Sequence, residues 1–352
     1  FSSIIVEALS TLSENRESVG AEHVTMFKSG LNSIHSSRLL KGVIVNRRVL
    51  MDNLPNNLVN PKIAVLDSDL KIRSFTRNVE IKITSANQLD SFVEAEQERK
   101  QLIANAIINS GANVVFCTGE IDREILYLLS DNSILTVGEL DSSEVENIAE
   151  ATGANIIDSI IDIKSSDIGI CGSIDWERRE HTDQIEDVIT IDQCKEPKIV
   201  TIEVGGSGDV STEEIIRGLH DSLRATSIAI TENAILLGAG TIHSQMANSV
   251  REASESEPGR ARLAMEAFAR ALETIPATLV ENSGGESLDR ILELRTASRE
   301  NDIPMGINIE GFVTPTKDVW HPRSVIEASL ESATETAMSM LRIDQVISSR
   351  GD

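Results

Sequence analysis

The chain is poor in aromatic and basic residues and contains no long apolar run. Phe, Trp and Tyr make up 3% of its 352 residues, so a hydrophobic core must consist mainly of Ile, Leu, Val and Ala. The 32 Lys and Arg are outnumbered by 56 Asp and Glu, and a net charge of −24 disfavours nucleic acids and anionic membranes as partners. No apolar stretch approaches the roughly 20 residues of a membrane-spanning helix. The first residues lack a signal-peptide pattern, so we expect a cytoplasmic protein.

Cysteine is also scarce. Cys117, Cys171 and Cys194 are far apart in the sequence. None belongs to a CxxC or Cys/His pattern with metal-ligand spacing, and the six histidines are scattered. The sequence offers no Ser/His/Asp or Cys/His pattern for nucleophilic catalysis. We therefore expect free thiols in a reducing compartment and no metal site.

Strands and helices alternate between residues 42 and 196, which predicts an α/β region. A Gly-Ala-Asn turn occurs at 111–113 and again at 153–155, each time before a short apolar run. Two αβ units of the same kind indicate one layered arrangement of helices on a sheet. The predicted elements are strands at 63–66, 80–83, 114–117 and 156–157 and a long helix at 87–108.

The last third of the chain predicts two amphipathic helices, at 261–280 and 325–347, on either side of a glycine-containing turn region. Their apolar residues recur at the i, i+3, i+4 spacing of a helix face that packs on a partner. If that partner is missing, we expect exposure of five residues: Leu263, Phe268, Leu272, Met340 and Leu341.

Several short motifs occur in the order found in the group II chaperonins, the thermosome and its eukaryotic relatives. The segment GANVVFCTGEID at 111–122 resembles the family's GANVVFCQKGID, and GLHDSL at 218–223 resembles its SLHDAL. Gly306-Ile307-Asn308 and the segment from Ser332 to Asp344 match pieces of the family's C-terminal equatorial half. The chain resembles this family over nearly its whole length.

The resemblance implies an α/β apical domain, a mixed α/β intermediate domain and an all-α partial equatorial domain. A helical protrusion that serves as a built-in lid in the family is expected at about 72–96, where the alternative is an ordinary surface helix hairpin. The expected domain boundaries are 1–41 and 197–239 for the intermediate domain, 42–196 for the apical substrate-binding domain and 240–352 for the equatorial half.

The resemblance also implies a nucleotide site with ATP and Mg²⁺ as cofactors. Asp221 matches the catalytic aspartate, a carboxylate that orients the attacking water; the plain alternative is a solvated residue on a helix face. Gly238, Ala239 and Gly240 align with the glycine turn that approaches the nucleotide. The segment that contacts the adenine corresponds to Gly306, Ile307 and Asn308.

This site departs from the family pattern at several positions. Ala239 replaces the middle glycine, His243 replaces an acidic residue, and His321 stands in place of the Glu that reaches the ribose. The family's GDGTT phosphate loop does not occur in the sequence. We therefore expect an incomplete ATP site, in either a piece of a longer product or a natural truncation. Whether the protein is an ATP-hydrolysing enzyme stays open.

The resemblance implies a chaperonin subunit that binds unfolded protein clients, stands in a ring of homologous subunits and, in the intact family, folds clients at the expense of ATP. One alternative is an ATP-independent holdase or assembly paralogue of the chaperonins. The other is a soluble α/β enzyme with a similar sequence.

Overall fold

The computed structural model describes residues 1–29, 33–51, 54–72, 86–181, 184–206, 208–300 and 302–343. The chain divides into two compact units, Phe1–Leu223 and Arg224–Asp352. The strand predicted at 80–83 and most of the predicted protrusion lie outside the described residues. No helix in the described part of the chain is both long and apolar enough to cross a membrane.

The first unit combines helices with short strands. Its elements follow one another in this order: α1 (Ser2–Asn15), β1 (Val24–Lys28), β2 (Arg38–Leu40), β3 (Val43–Asn46), β4 (Asn57–Val59), β5 (Lys62–Leu66), α2 (Ala86–Ser110), β6 (Val114–Cys117), α3 (Arg123–Asp131), β7 (Leu135–Val137), α4 (Ser142–Thr152), β8 (Ile156–Ile157), β9 (Gly169–Ile170), β10 (Ser173–His181), β11 (Gln184–Asp192), β12 (Val200–Val204) and α5 (Asp209–Glu232).

Three sheets organise these elements. Strands β7, β6, β5 and β8 form a parallel sheet in that order, and β9 pairs antiparallel with β5. An antiparallel sheet has the order β3-β11-β10-β4. A third sheet places β12 between β1, to which it is parallel, and β2, to which it is antiparallel.

The parallel sheet is buried on both faces. Along β5, Ile63 and Val65 point into one hydrophobic cluster, and Ala64 and Leu66 point into another. Side chains alternate along a strand, so each face of the sheet needs its own covering layer. Helices α2 and α3 cover one face, and α4 together with the antiparallel sheet covers the other.

A separate core lies around the third sheet. Residues from α1, such as Leu9 and Leu12, pack against Val200 and Ile202 of β12 and against Leu223 of α5. Segments from both ends of the first unit therefore share this core, and the chain between them forms the α/β layers.

The second unit is mainly helical. Its elements are β13 (Ile235–Leu237), α6 (Thr241–Ser254), α7 (Arg260–Asn282), α8 (Ser287–Glu300), β14 (Met305–Ile307), β15 (Val313–Pro315), β16 (Trp320–Pro322) and α9 (Arg323–Leu341). Two antiparallel pairs, β13 with β16 and β14 with β15, lie beside the helices. The structure confirms the predicted fold class and adds these four short strands, which the sequence analysis did not identify.

A buried ion-pair network joins three helices of the second unit. Glu273 of α7 accepts two hydrogen bonds from Arg251 of α6, both 2.6 Å long, and bonds of 3.0 and 2.7 Å from Arg295 of α8. Burial by itself would raise the pKa of Glu273, but hydrogen bonds from the two guanidinium groups lower it below its ordinary value. The carboxylate is therefore ionised and fully partnered in the folded unit.

The helix boundaries agree closely with those predicted for α2 and α7. The helix predicted at 325–347 corresponds to α9, which ends at Leu341. Five apolar residues were predicted to be exposed, and the prediction is wrong for Leu272. This residue packs in a small core with Ala247 and Ala269 and is 5% exposed. The other four are exposed: Leu263 by 70%, Phe268 by 40%, Met340 by 68% and Leu341 by 85%.

We predict that Glu273→Gln destabilises the second unit by about 3 kcal/mol, because it removes the carboxylate that pairs with the buried Arg251 and the half-buried Arg295. Urea unfolding followed by circular dichroism measures this. Since the pKa of Glu273 is lowered from 4.5, its contribution is present above that pH and is lost as the pH falls through the folded-state pKa. The variant should therefore lose part of the acid sensitivity of the wild type.

The matched control is Glu327→Gln, which removes an exposed ion pair with Arg323 within α9. We expect almost no change in its urea midpoint, because solvent screens an exposed pair. Equal midpoints for the Glu273 and Glu327 variants would contradict the structural role assigned to the buried network.

We also predict that the second unit binds a hydrophobic dye and promotes self-association, because its exposed apolar side chains form an aggregation-prone surface. Replacing Leu263 and Leu341 by Glu should lower both dye fluorescence and the weight-average mass in sedimentation. A wild-type chain that stays monomeric and dye-negative at every concentration would refute this prediction.

Candidate functional site

The predicted glycine turn connects β13 to α6 and has an unusual backbone. Ala239 adopts a left-handed conformation with φ of 53°, and Gly240 does so with φ of 74°. The turn closes through a 2.9 Å hydrogen bond from Thr241 N–H to the Gly238 carbonyl. An L-residue in this region of φ carries a strain that glycine avoids. The turn that the glycine motif predicted is therefore present, but Ala239 suits its backbone conformation less well than glycine would.

The glycines of the turn are needed for packing against the protein itself. A Cβ on Gly238 would lie 2.6 Å from Val319 Cγ1 and 3.1 Å from His321 Nε2. A Cβ on Gly240 would lie 2.6 Å from Cβ of Pro276. Both positions therefore exclude a side chain for reasons of internal contact, before any ligand is considered.

Strand β14 lies directly against this turn. The N–H of Ile307 donates to the carbonyl of Ala239 at 2.9 Å. A Cβ on Gly306 would lie 2.8 Å from the same carbonyl oxygen and 2.5 Å from Thr241 Oγ1. The structure therefore brings together two segments that the sequence analysis assigned to one site, Gly238–Gly240 and Gly306.

Asn308 lies next to these residues but has a local structural contact. Its side-chain oxygen accepts hydrogen bonds from the N–H groups of Glu310 at 3.1 Å and Phe312 at 2.8 Å. The side chain thereby shapes the turn between β14 and β15. Its amide oxygen is already used, so only its NH₂ group remains available for a ligand.

Two histidines, His243 and His321, lie near enough beside the turn for one to affect the pKa of the other, which sequence reasoning missed. Burial lowers the pKa of His243, and the nearby His321 lowers it further. Within the described part of the chain, Nδ1 of His243 is buried without a hydrogen-bond partner. The only sequence signal was that both positions carried histidine where the family pattern has acidic residues.

Asp221 lies on α5, in the first unit, whereas the turn belongs to the second unit. Its side chain is exposed, whereas Leu219 and Leu223 on the same helix are buried in the core around the third sheet. Its charge contributes to the raised pKa of Arg217, after the larger effect of Glu214. Asp221 is therefore on the solvent side of α5.

The turn fits part of a nucleotide. In the part of the chain that the structure describes, the N–H groups of Ala239 and Gly240 have no acceptor, and they stand at the N-terminus of α6. Free N–H groups at a helix N-terminus favour anions such as phosphate oxygens. The described residues hold no group of three or more acidic, His or Cys side chains suited to a metal ion.

The chain matches known proteins along almost its full length. The model of the TCP-1/cpn60 chaperonin family matches residues 1–350. The chain belongs to this family. It is 34% identical over 349 residues to the thermosome subunit beta of Archaeoglobus fulgidus, covering 98% of this chain and 63% of that protein. It is also 34% identical to the thermosome subunit of Methanocaldococcus jannaschii, with 98% and 64% covered.

A solved structure with a similar fold is the open-state monomer of a group II chaperonin from Methanococcoides burtonii. The TM-score is 0.64 and the identity 25%, with 97% of this chain and 80% of that chain covered. The chaperonin fold that the motifs implied is thereby confirmed. The chain spans less than two thirds of the length of the thermosome subunits it matches.

A second candidate surface of this chaperonin chain is the outer side of α2 and α3. Leu102 of α2 is 64% exposed and Tyr127 of α3 is 58% exposed, although Ile107 of α2 and Ile125 and Leu129 of α3 are buried against the parallel sheet. We call these two residues and their surroundings the α2–α3 face. Sequence reasoning placed client binding in this region without identifying the residues.

An ion cluster fixes the two helices of this face together. The ammonium group of Lys100 lies 3.1 Å from Glu96, 3.2 Å from Asp122 and 3.1 Å from Glu124. Burial by itself would lower the pKa of Lys100, but hydrogen bonds to the three carboxylates raise it. The cation therefore stays charged and ties α2 to the start of α3.

We predict that Ala239→Gly stabilises the second unit by up to about 1 kcal/mol, because it removes the left-handed strain of Ala239 at a modest cost in unfolded-state entropy. The matched control is Ala253→Gly on the exposed side of α6, which should destabilise by about 0.5–1 kcal/mol. Urea unfolding measures both changes. Two variants destabilised to the same degree would show that the turn carries no strain.

Proposed function

We propose that this chain is the apical, intermediate and partial equatorial region of a cytoplasmic chaperonin subunit, and that it binds non-native protein chains through the α2–α3 face. The observation that supports this most is the exposure of Leu102 and Tyr127 on two helices that bury other apolar residues, such as Ile107 and Ile125, against the parallel sheet. Family membership supplies the class of function, and the α2–α3 face supplies a surface suited to it.

The chemistry of the α2–α3 face suits segments that expose apolar side chains. An unfolded chain presents Leu, Ile and aromatic residues that gain by leaving water, and each buried aliphatic side chain contributes about 1.5–3 kcal/mol. Two exposed apolar residues on rigid helices offer such contacts, and no loop has to become ordered when a client binds. The Lys100 cluster holds those helices in place, so little conformational entropy is lost on binding.

The proposed domain boundaries remain 1–41 and 197–239 for the intermediate domain, 42–196 for the apical domain and 240–352 for the equatorial half. In the whole protein we propose a ring of homologous subunits around the client. The exposed apolar side chains of α7 and α9 support this, because they require another surface to cover them.

ATP with Mg²⁺ is the proposed ligand of the whole protein, and its hydrolysis would supply the free energy for conformational change. The N–H groups of Ala239 and Gly240 would donate hydrogen bonds to it, and Gly306 and Asn308 would border the base. Asp221 would orient the attacking water, as its match to the family's catalytic aspartate implies.

The second candidate function is an ATP-independent holdase or assembly paralogue. The specific observations that favour it are the strained Ala239 in the turn and His321 packed on Gly238. Both differ from the family pattern at positions implied to contact the nucleotide. This candidate uses the same α2–α3 face, so client binding does not separate the two.

We predict that the chain suppresses aggregation of a chemically denatured client and that Leu102→Gln with Tyr127→Gln weakens this about tenfold or more, since two apolar contacts are lost. Light scattering at several ratios of chain to client gives the concentration for half suppression. Glutamine keeps the net charge and suits a helix, so circular dichroism should remain unchanged.

The matched control is Val59→Gln, because Val59 is a similarly exposed apolar residue on the edge strand β4 of the same unit. Full suppression by the control and its loss in the double variant would support the proposal. Equal suppression by wild type, double variant and control would refute the role of the α2–α3 face.

Isothermal titration with Mg-ATP tests whether residues 1–352 hold a nucleotide site by themselves. We expect a dissociation constant well above micromolar, because the sequence contains no GDGTT loop and Ala239 and His321 depart from the family pattern. Micromolar binding that is lost on Gly306→Val would support an intact nucleotide site. Weak binding together with client binding is expected under both candidates.

A further inference from the structure

Two of the three cysteines, Cys171 and Cys194, lie just beyond the open end of the β10–β11 ladder, one on the continuation of each strand. The last ladder pair at this end is Ser173 with Asp192. One residue beyond it, Gly172 N–H donates to the carbonyl of Gln193 at 3.1 Å. The regular ladder ends here, because Gln193 takes a left-handed conformation with φ of 57° and Gly172 N–H also donates to the carbonyl of Asp192 at 3.2 Å. Cys171 and Cys194 are the next residues on the two segments that this contact holds together.

The two thiols share one environment. Cys171 is 2% exposed and Cys194 is 4% exposed, and both belong to the hydrophobic cluster that contains Ile174 and Ile191. They therefore point to the same side of the ladder. A disulfide between them needs their Cβ atoms to come within roughly 3.5–4.5 Å.

Gly172 allows the two backbones to approach closely beside the cysteines. A Cβ on Gly172 would lie only 2.5 Å from Cβ of Gln193. Any other residue at 172 would push the two segments apart. The glycine therefore keeps the two segments that carry residues 171 and 194 close together.

Both thiols are reduced and unreactive while the ladder end is closed. Burial raises the pKa of Cys171 to about 12. Burial also raises the pKa of Cys194, and the neighbouring Cys171 adds to the effect. The thiolate is the reacting species, so exchange requires the ladder end to open. That end borders solvent, because Ile170, Gln193 and Lys195 are exposed.

We propose that Cys171 and Cys194 form a dithiol modification site, at which a low-molecular-weight disulfide such as oxidised glutathione produces an internal Cys171–Cys194 disulfide. This inference does not depend on the proposed chaperone function. It gives a role to two residues that belong neither to the glycine turn nor to the α2–α3 face.

The reaction proceeds by two exchanges. The thiolate of one cysteine attacks the added disulfide, forms a mixed disulfide and releases one small thiol. The thiolate of the second cysteine attacks the protein sulfur of that mixed disulfide, forms the internal bond and releases the second small thiol. The two cysteine protons end on the two released thiols, and the added disulfide takes up two electrons.

The internal bond would stiffen the base of the α/β layers. Cys194 N–H donates to the carbonyl of Lys41 at 2.9 Å, next to the start of β3. A disulfide at this position would join the segment before β10 to the segments that enter and leave the antiparallel sheet. By restricting the unfolded chain, it should raise the thermal midpoint by a few degrees.

The test treats the 352-residue chain with oxidised glutathione in mild urea that opens ladder ends without global unfolding, followed by peptide mapping under non-reducing conditions. We expect the Cys171–Cys194 peptide to exceed every other pairing by about tenfold or more, because exchange favours neighbouring thiols. Cys171→Ala should instead hold one glutathione on Cys194, and Cys194→Ala should hold one on Cys171.

Cys117 is the internal control, because it is fully buried in β6, between β5 and β7. We expect it to stay unmodified. Disulfides that include Cys117 at comparable yield would overturn the proposal. It would also be overturned if wild type carried separate glutathione adducts on Cys171 and Cys194, or stayed unmodified where the alanine variants react.

Discussion

Burial of both faces of the parallel sheet is the constraint on which the first unit depends. Because Ile63 and Val65 point to one side and Ala64 and Leu66 to the other, the sheet needs a complete layer on each face. Helices α2 and α3 form one of those layers and are held at a fixed position. Their outer sides are then free to carry exposed apolar residues without weakening the core, and this separates stability from binding.

The second unit, which has few aromatic residues, is held together in a different way. Its helices are joined by a buried carboxylate between two arginines, and its apolar clusters are small. A buried ion pair fixes which helices meet more than it adds to stability, since desolvation offsets much of the attraction. Several other apolar side chains, among them Leu263, Met340 and Leu341, are exposed, as expected of a surface that packs on another.

The sequence predicted most of what depends on local pattern. Periodicity predicted the strands around 63–66 and 114–117 and helices α2 and α7. The order of the motifs, through the resemblance to the family, predicted that Gly238–Gly240 and Gly306 belong to one site. What could not be predicted depends on contacts between distant segments. Three findings are of this kind: Asn308 uses its oxygen in its own turn, His243 lies near His321, and Leu272 is buried. Side-chain surroundings of this sort are set by packing rather than by neighbours in sequence.

Hydrogen–deuterium exchange of the chain with and without a bound non-native client tests the central claim most directly, because it locates the contact without any substitution. The account predicts added protection in α2 from about residue 94 to 110 and in α3, with the amides of α7 and α9 unchanged. Protection confined to α7 and α9, with α2 and α3 unaffected, would contradict the assignment of client binding to the α2–α3 face.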